Sequence, residues 1–177
     1  MRLYLLIIGI ADLILMALHA GRAPLWQIAL YAIGGTLAVI ALDALGAFVI
    51  RQLPTRYFDA EHCQMAIGKD ERQLYKKLGI KKWKDRIPEL GQFTGFHKNK
   101  VADRGDAAYL GRFILECNYG VFIHLQNALC GPLLLLFLPP SYARFIAAVN
   151  FVLSLLPVFV LRYNLSTLQY LYKKARA

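Results

Sequence analysis

The run FILECNYGVFIHLQN, residues 113–127, sets a carboxylate (Glu116), an imidazole (His124) and three amides (Asn118, Gln126, Asn127) in an otherwise apolar stretch. An unperturbed imidazole titrates near neutral pH, so His124 could take a proton from a hydroxyl group. Glu116 and His124 stand eight residues apart, which on a helix is about 12 Å of rise and about 80° of rotation. At that spacing they cannot hydrogen-bond to each other. They line one side of the helix at different depths, with Asn127 on the same side. A serine nucleophile is disfavoured: no serine precedes Ser141, and G-x-S-x-G, P-loop and G-x-G-x-x-G motifs are absent. A direct transfer promoted by a base remains open.

Each of these residues also has a purely structural reading. Arg112, four residues before Glu116, can pair with it on one helix face. Arg162, farther along the chain, is expected at similar depth on an antiparallel neighbour and could tie two helices together through Glu116. His124 could be a neutral imidazole satisfied by Asn150 or Gln126. A charge at the centre of a membrane helix costs about 3 kcal/mol on insertion scales, and such residues face the bundle interior or a watery cavity. Asp12 and Asp43 are weaker candidates of the same kind, Asp12 pairing across helices and Asp43 snorkelling or capping. The three cysteines, Cys63, Cys117 and Cys130, lack metal-ligand spacing, so neither a zinc site nor a disulfide framework is expected.

The elements that must position these groups are apolar blocks. The 177 residues are 58% hydrophobic, with a mean hydropathy of +0.42, above the roughly 45–50% apolar usage of soluble domains. Apolar runs cover residues 3–20, 25–50, 107–138 and 142–161, each near or above the ~20 residues that span hydrocarbon. The sequence therefore predicts an all-α, four-span transmembrane bundle, one integral membrane domain over residues 1–177. A helical and irregular loop, residues 51–106, joins spans two and three. The first run resembles a signal peptide at its basic start and small residues, but Asp12 interrupts it, and it is read as a span. Pro24 marks the start of the second span, and the glycines at 34–35 suggest close helix packing.

The formal net charge is +10, and residues 51–107 hold thirteen Lys and Arg against eight Asp and Glu. The positive-inside rule places that segment and both termini in the cytoplasm of a multi-pass cell-membrane protein. KDERQLYKKLGIKKW reads as a basic amphipathic helix ended or bent by Gly79, lying in the interface plane or packing on the ends of the spans. The turn-rich segment after it, with Pro88, Gly91 and Gly95, interleaves Trp83, Phe93 and Phe96 with basic residues. That pattern suits interfacial anchoring or a clamp on a phosphate-bearing donor; nucleic acid is not an expected partner. The fourth span contains Asn150 and Pro157, and LRYNLSTLQYLYKK after it reads as a separate short interfacial helix.

The order LPTRYF, GIKKWKDRIPELGQF, FILECNYGVFIH and LPVFVLRYN resembles the glycosyl-diaponeurosporenoate acyltransferase family of the staphyloxanthin carotenoid pathway, over about Leu53 to Tyr170. The family's loop Trp-Lys falls on Trp83 and Lys84, its proline on Pro88, its helix Glu and His on Glu116 and His124, and its Arg-Tyr-Asn on Arg162, Tyr163 and Asn164. Two positions depart from the family pattern. Where members carry an Arg and a second acidic residue, this chain has Tyr119 and Val121. The resemblance implies transfer of a fatty acyl group to a sugar hydroxyl on a glycosylated isoprenoid. In that picture His124 is the general base and Glu116 shapes the site with Arg162. Trp83 and Lys84 hold a cytoplasmic donor, acyl-CoA or acyl carrier protein, and a membrane lipid is the acceptor. Asn127, Arg112, Asn150, Tyr163 and Asn164 complete the expected substrate-binding set. The competing expectations are a non-catalytic lipid-binding or transport protein, and another lipid-modifying membrane enzyme. The sequence carries no cofactor signature.

Overall fold

The computed structural model describes residues 2–62, 65, 67–87 and 101–177. Among them are six α-helices and no strand: α1 Arg2–His19, α2 Leu25–Gln52, α3 Lys69–Lys77, α4 Ile80–Trp83, α5 Ala107–Cys130 and α6 Pro140–Arg176. Short 3-10 turns follow α2 (Thr55–Tyr57), α4 (Lys84–Arg86) and α5 (Gly131–Leu136). Cys63, Pro88, Gly91, Phe93, Gly95 and Phe96, singled out above, lie outside the described residues.

Three stretches are long and apolar enough to cross a membrane: Leu25–Gln52, Ala107–Leu136 and Pro140–Arg176. Large aliphatic side chains stand outward along them, Leu37, Leu129 and Leu136 among them. Outward apolar side chains on helices of this length point to association with a membrane. Four spans were expected. The apolar part of α1, Leu3–His19, is shorter than the other three; at 1.5 Å per residue it reaches about 26 Å, against a hydrocarbon core of about 30 Å.

The expected separate helix after Leu161 is corrected: α6 runs unbroken through Arg176, with Pro157 inside it. Leu161, Leu165 and Leu168 are buried at successive three- and four-residue steps, so the apolar stripe continues past the span and holds the helix on its core. α3 has Asp70 and Glu71 in its first turn and Lys76 and Lys77 in its last, each sign complementing the helix dipole. It stops where Gly79 takes φ +61°, a left-handed conformation that glycine adopts without a Cβ penalty.

The described residues gather into two compact units. The first comprises Met1–Val49 and Ile123–Leu155. Its core joins Leu15 of α1, Ile28, Ala32 and Val39 of α2, Leu134, and Tyr142, Ala143 and Ile146 of α6. His19 stacks on Tyr142 at 4.0 Å and sits 3.0 Å from the Ser141 hydroxyl, tying the last turn of α1 to the first of α6. Gly35 leaves room for Leu138 and Ile146, whose methyl carbons stand 2.6 and 2.7 Å from where a Cβ would be.

The second unit comprises Ile50–Phe122 and Leu156–Ala177. Leu110, Phe113, Ile114, Cys117 and Val121 repeat at helical spacing on α5 and pack with Val158, Leu161, Leu165 and Leu168 of α6. Tyr75 and Ile80 bring α3 and α4 into the same core.

Candidate functional site

Glu116 is 9% exposed and belongs to the second unit. Arg51, in the last turn of α2, grips it with two parallel bonds, Nη1 to Oε1 at 3.2 Å and Nη2 to Oε2 at 3.0 Å. This fork-on-carboxylate geometry gives direction as well as energy. The same guanidinium lies over the Tyr119 ring, 4.6 Å from its centroid. Tyr119 stacks on Phe58 at 4.1 Å and donates its hydroxyl to the Leu53 carbonyl at 3.3 Å. Asn118, 1% exposed, donates its amide to the Phe58 carbonyl at 2.8 Å. Phe122 meets Phe58 edge-on.

These contacts account for Glu116, Asn118 and Tyr119 in the opening run. The chain leaves α2 through a 3-10 turn, where peptide carbonyls lack the partners a continuing helix would supply. Asn118 and Tyr119 supply donors for two of them, and Glu116 anchors the cation that enters the turn. Tyr119 takes part in this grip, and Val121 is fully buried in the core.

The expected pairing of Arg162 with Glu116 is corrected. Arg162 grips Glu71 of α3 instead, with Nε 2.7 Å from Oε1 and Nη2 2.6 Å from Oε2, while its Nη1 donates to the Met65 carbonyl at 3.3 Å. Gln169 donates to that carbonyl as well, at 3.2 Å. Tyr75 donates its hydroxyl to the Glu71 carboxylate. Burial acts to raise the Glu71 pKa, but the hydrogen bonds from Arg162 and Tyr75 and the arginine's charge outweigh it and hold the carboxyl below its usual range. Burial, reinforced by the Glu71 carboxylate, pushes the Tyr75 hydroxyl up to about 12.

The remaining expected site residues are placed as follows. In the first unit, His124 is half-buried on α5, and Asn127 and Asn150 come together: the Asn150 amide donates to the Asn127 carbonyl at 2.7 Å. Asp43 accepts a hydrogen bond from the Cys130 thiol at 2.9 Å, and Asp12 one from the Thr36 hydroxyl at 2.7 Å, the cross-helix pairing expected of Asp12. A cleft of about 40 Å³ is lined by Asp12, Thr36 and Asn150 together with apolar side chains such as Val39, Phe145 and Ile146. The buried Gln126 Oε1 and Asn127 Oδ1 atoms have no hydrogen-bond partner among the described residues. In the second unit, Trp83 donates its indole N–H to the Leu78 carbonyl at 3.1 Å, and Lys84 pairs with Asp85 at 3.1 Å. Tyr163 packs against the core, Asn164 is half-buried one position on, and Arg112 is exposed on α5.

Sequence reasoning missed Arg51, Glu71 and Tyr75. For Glu71 a signal existed: Glu71 and Tyr75 are four apart on one face of the amphipathic helix. For Arg51 there was none, because a basic residue at the end of a span ordinarily marks topology. Among the described residues, no three His, Cys, Asp or Glu side chains gather as a metal site would require.

The model of the glycosyl-4,4'-diaponeurosporenoate acyltransferase family, CrtO, matches residues 54–174, from the turn after α2 to the last turns of α6. The chain matches no curated protein and no solved structure. The family match takes in 121 of the 177 residues and with them α3, α4, α5 and nearly all of α6. By that extent the chain belongs to the glycosyl-4,4'-diaponeurosporenoate acyltransferase family.

Proposed function

We propose that the chain is a membrane-embedded acyltransferase that moves a fatty acyl group from a thioester donor to a hydroxyl of a glycosylated isoprenoid or related glycolipid. The observation that carries this reading is the family match, which spans the whole polar run of α5. Three long apolar helices support access of a lipid acceptor from the bilayer. His124 acts as the general base. It takes the proton of the acceptor hydroxyl as that oxygen attacks the thioester carbonyl; the carbon–sulfur bond then breaks, and the leaving thiolate takes the proton back. Glu116, with Arg51 in place of the expected Arg162, fixes the start of the loop. Trp83 and Lys84 meet the donor, acyl-CoA or acyl carrier protein, on the cytoplasmic side. The basic loop and both termini face that side, following their excess of Lys and Arg. Asn127, Asn150, Arg112, Tyr163 and Asn164 contribute polar contacts to the two substrates.

Lipid mass spectrometry of the host with and without the gene tests the reading. The expected result is the gain of one fatty acyl mass on a glycolipid. Replacing His124 with Ala should abolish that gain while leaving thermal unfolding in detergent unchanged; undiminished product from the variant removes His124 from the mechanism.

A further inference from the structure

α3 presents two different faces. Its inner face is committed: Tyr75 is 4% exposed and meets Phe159 of α6 edge-on, and Glu71 is locked to Arg162. Its other flank carries Leu74 and Leu78, 47% and 44% exposed, one turn apart and so on a shared face. Lys76 and Lys77 on α3 and Lys81 and Lys82 on α4 are all exposed beside them. Two open leucines among four open lysines suit neither plain water nor a protein core. They fit a surface that is apolar below and anionic above.

The position of α3 says which surface that is. The stretch between Arg144 and Arg162 is 17 residues without a charge, about 26 Å of helix against a hydrocarbon core of about 30 Å, which sets the two arginines near its two edges. Arg162 therefore marks the level where hydrocarbon ends, and the Arg162–Glu71 pair holds α3 at that level. We infer that α3 and α4 form a docking element for the bilayer the chain itself occupies, with Leu74 and Leu78 entering the acyl boundary and the lysines facing the phosphates of anionic lipids. The inference rests on the membrane-spanning helices and stands apart from the acyl-transfer reading.

The experiment uses the full chain in nanodiscs of phosphatidylcholine alone and of phosphatidylcholine with phosphatidylglycerol, followed by hydrogen exchange of the amides of residues 69–83. A lysine near an anionic surface is worth about fivefold in a local equilibrium, so exchange in the anionic discs should be at least tenfold slower, and the difference should fade in high salt. The Leu74→Ser/Leu78→Ser variant should lose the protection in both lipids. A second variant, with Lys76, Lys77, Lys81 and Lys82 changed to Gln, should lose only the difference between lipids. All six positions are exposed, and unchanged exchange in α6 confirms that the fold is kept. Equal exchange in the two bilayers overturns the inference. So does protection that appears only when an acidic carrier protein is added, which would assign the same face to a protein partner.

Discussion

Replacing Arg162 with Met should release α3 from α6. The guanidinium makes two short charge-assisted bonds to Glu71, at 2.7 and 2.6 Å, and the two side chains are 15% and 25% exposed. Exposed pairs are worth about 0–1 kcal/mol, and breaking fully buried ones costs about 3–5 kcal/mol. This pair lies between, so about 2 kcal/mol is expected, which is roughly a thirtyfold faster exchange of the α3 amides. Hydrogen exchange on the reconstituted chain reads it directly. A double-mutant cycle with Glu71→Leu should return a coupling of about 2 kcal/mol, because the paired removal leaves no orphaned charge. The pH dependence supplies an independent check on sign. Glu71 in the folded chain sits below its ordinary pKa of 4.5. Its contribution is therefore fully present above that value and is lost only as pH falls through the depressed folded value. In Arg162→Met the arginine no longer opposes burial, so acidification should tighten α3 instead of loosening it. An exchange increase below threefold, or the same pH response in both proteins, would refute the pair as the element that holds α3.

Asn118→Leu should lower stability by about 1–3 kcal/mol, since it strands the buried Phe58 carbonyl; thermal unfolding in detergent measures it, and Asn118→Asp, which keeps the size but loses the amide donor, should be no better. Gly131→Ala should cost about 1–3 kcal/mol because the new methyl would sit 2.9 Å from both the α-carbon and the methyl of Ala147. Ala147→Gly in the same chain should recover only part of that loss, because the clash with the backbone of residue 147 remains.

Much of the helical frame is legible in the sequence because it depends on local signals. Apolar blocks mark α2, α5 and α6, Pro24 precedes the start of α2, and Gly79 ends α3 in the conformation that glycine best accepts. What was hidden lies in long-range pairing. Arg51 and Glu116 are 65 residues apart and Arg162 and Glu71 are 91 apart, and no helical spacing rule reaches that far. Matching Arg162 to Glu116 by depth failed because α3 delivers a nearer carboxylate. The true end of α6 was written in the Leu161, Leu165, Leu168 stripe, which carries the apolar face of the span into the segment read as a separate helix. Within the candidate site, the polar character of α5 could be read, and so could the cross-helix role of Asp12. The grip of Asn118 and Tyr119 on the turn at Leu53 and Phe58 could not, since a backbone carbonyl leaves no trace in residue types.

That grip also fixes an order of events during synthesis. The bonds from α5 to Arg51, Leu53 and Phe58 close loops of 60 to 66 residues. While the ribosome is still making the intervening segment, the exit from α2 has only its own local hydrogen bonds and none of these three anchors. Arrested nascent chains ending at Leu110 should leave the Arg51–Phe58 segment open to protease, whereas chains extended well beyond Phe122 should protect it. The exit from α2 takes its final form only when α5 arrives.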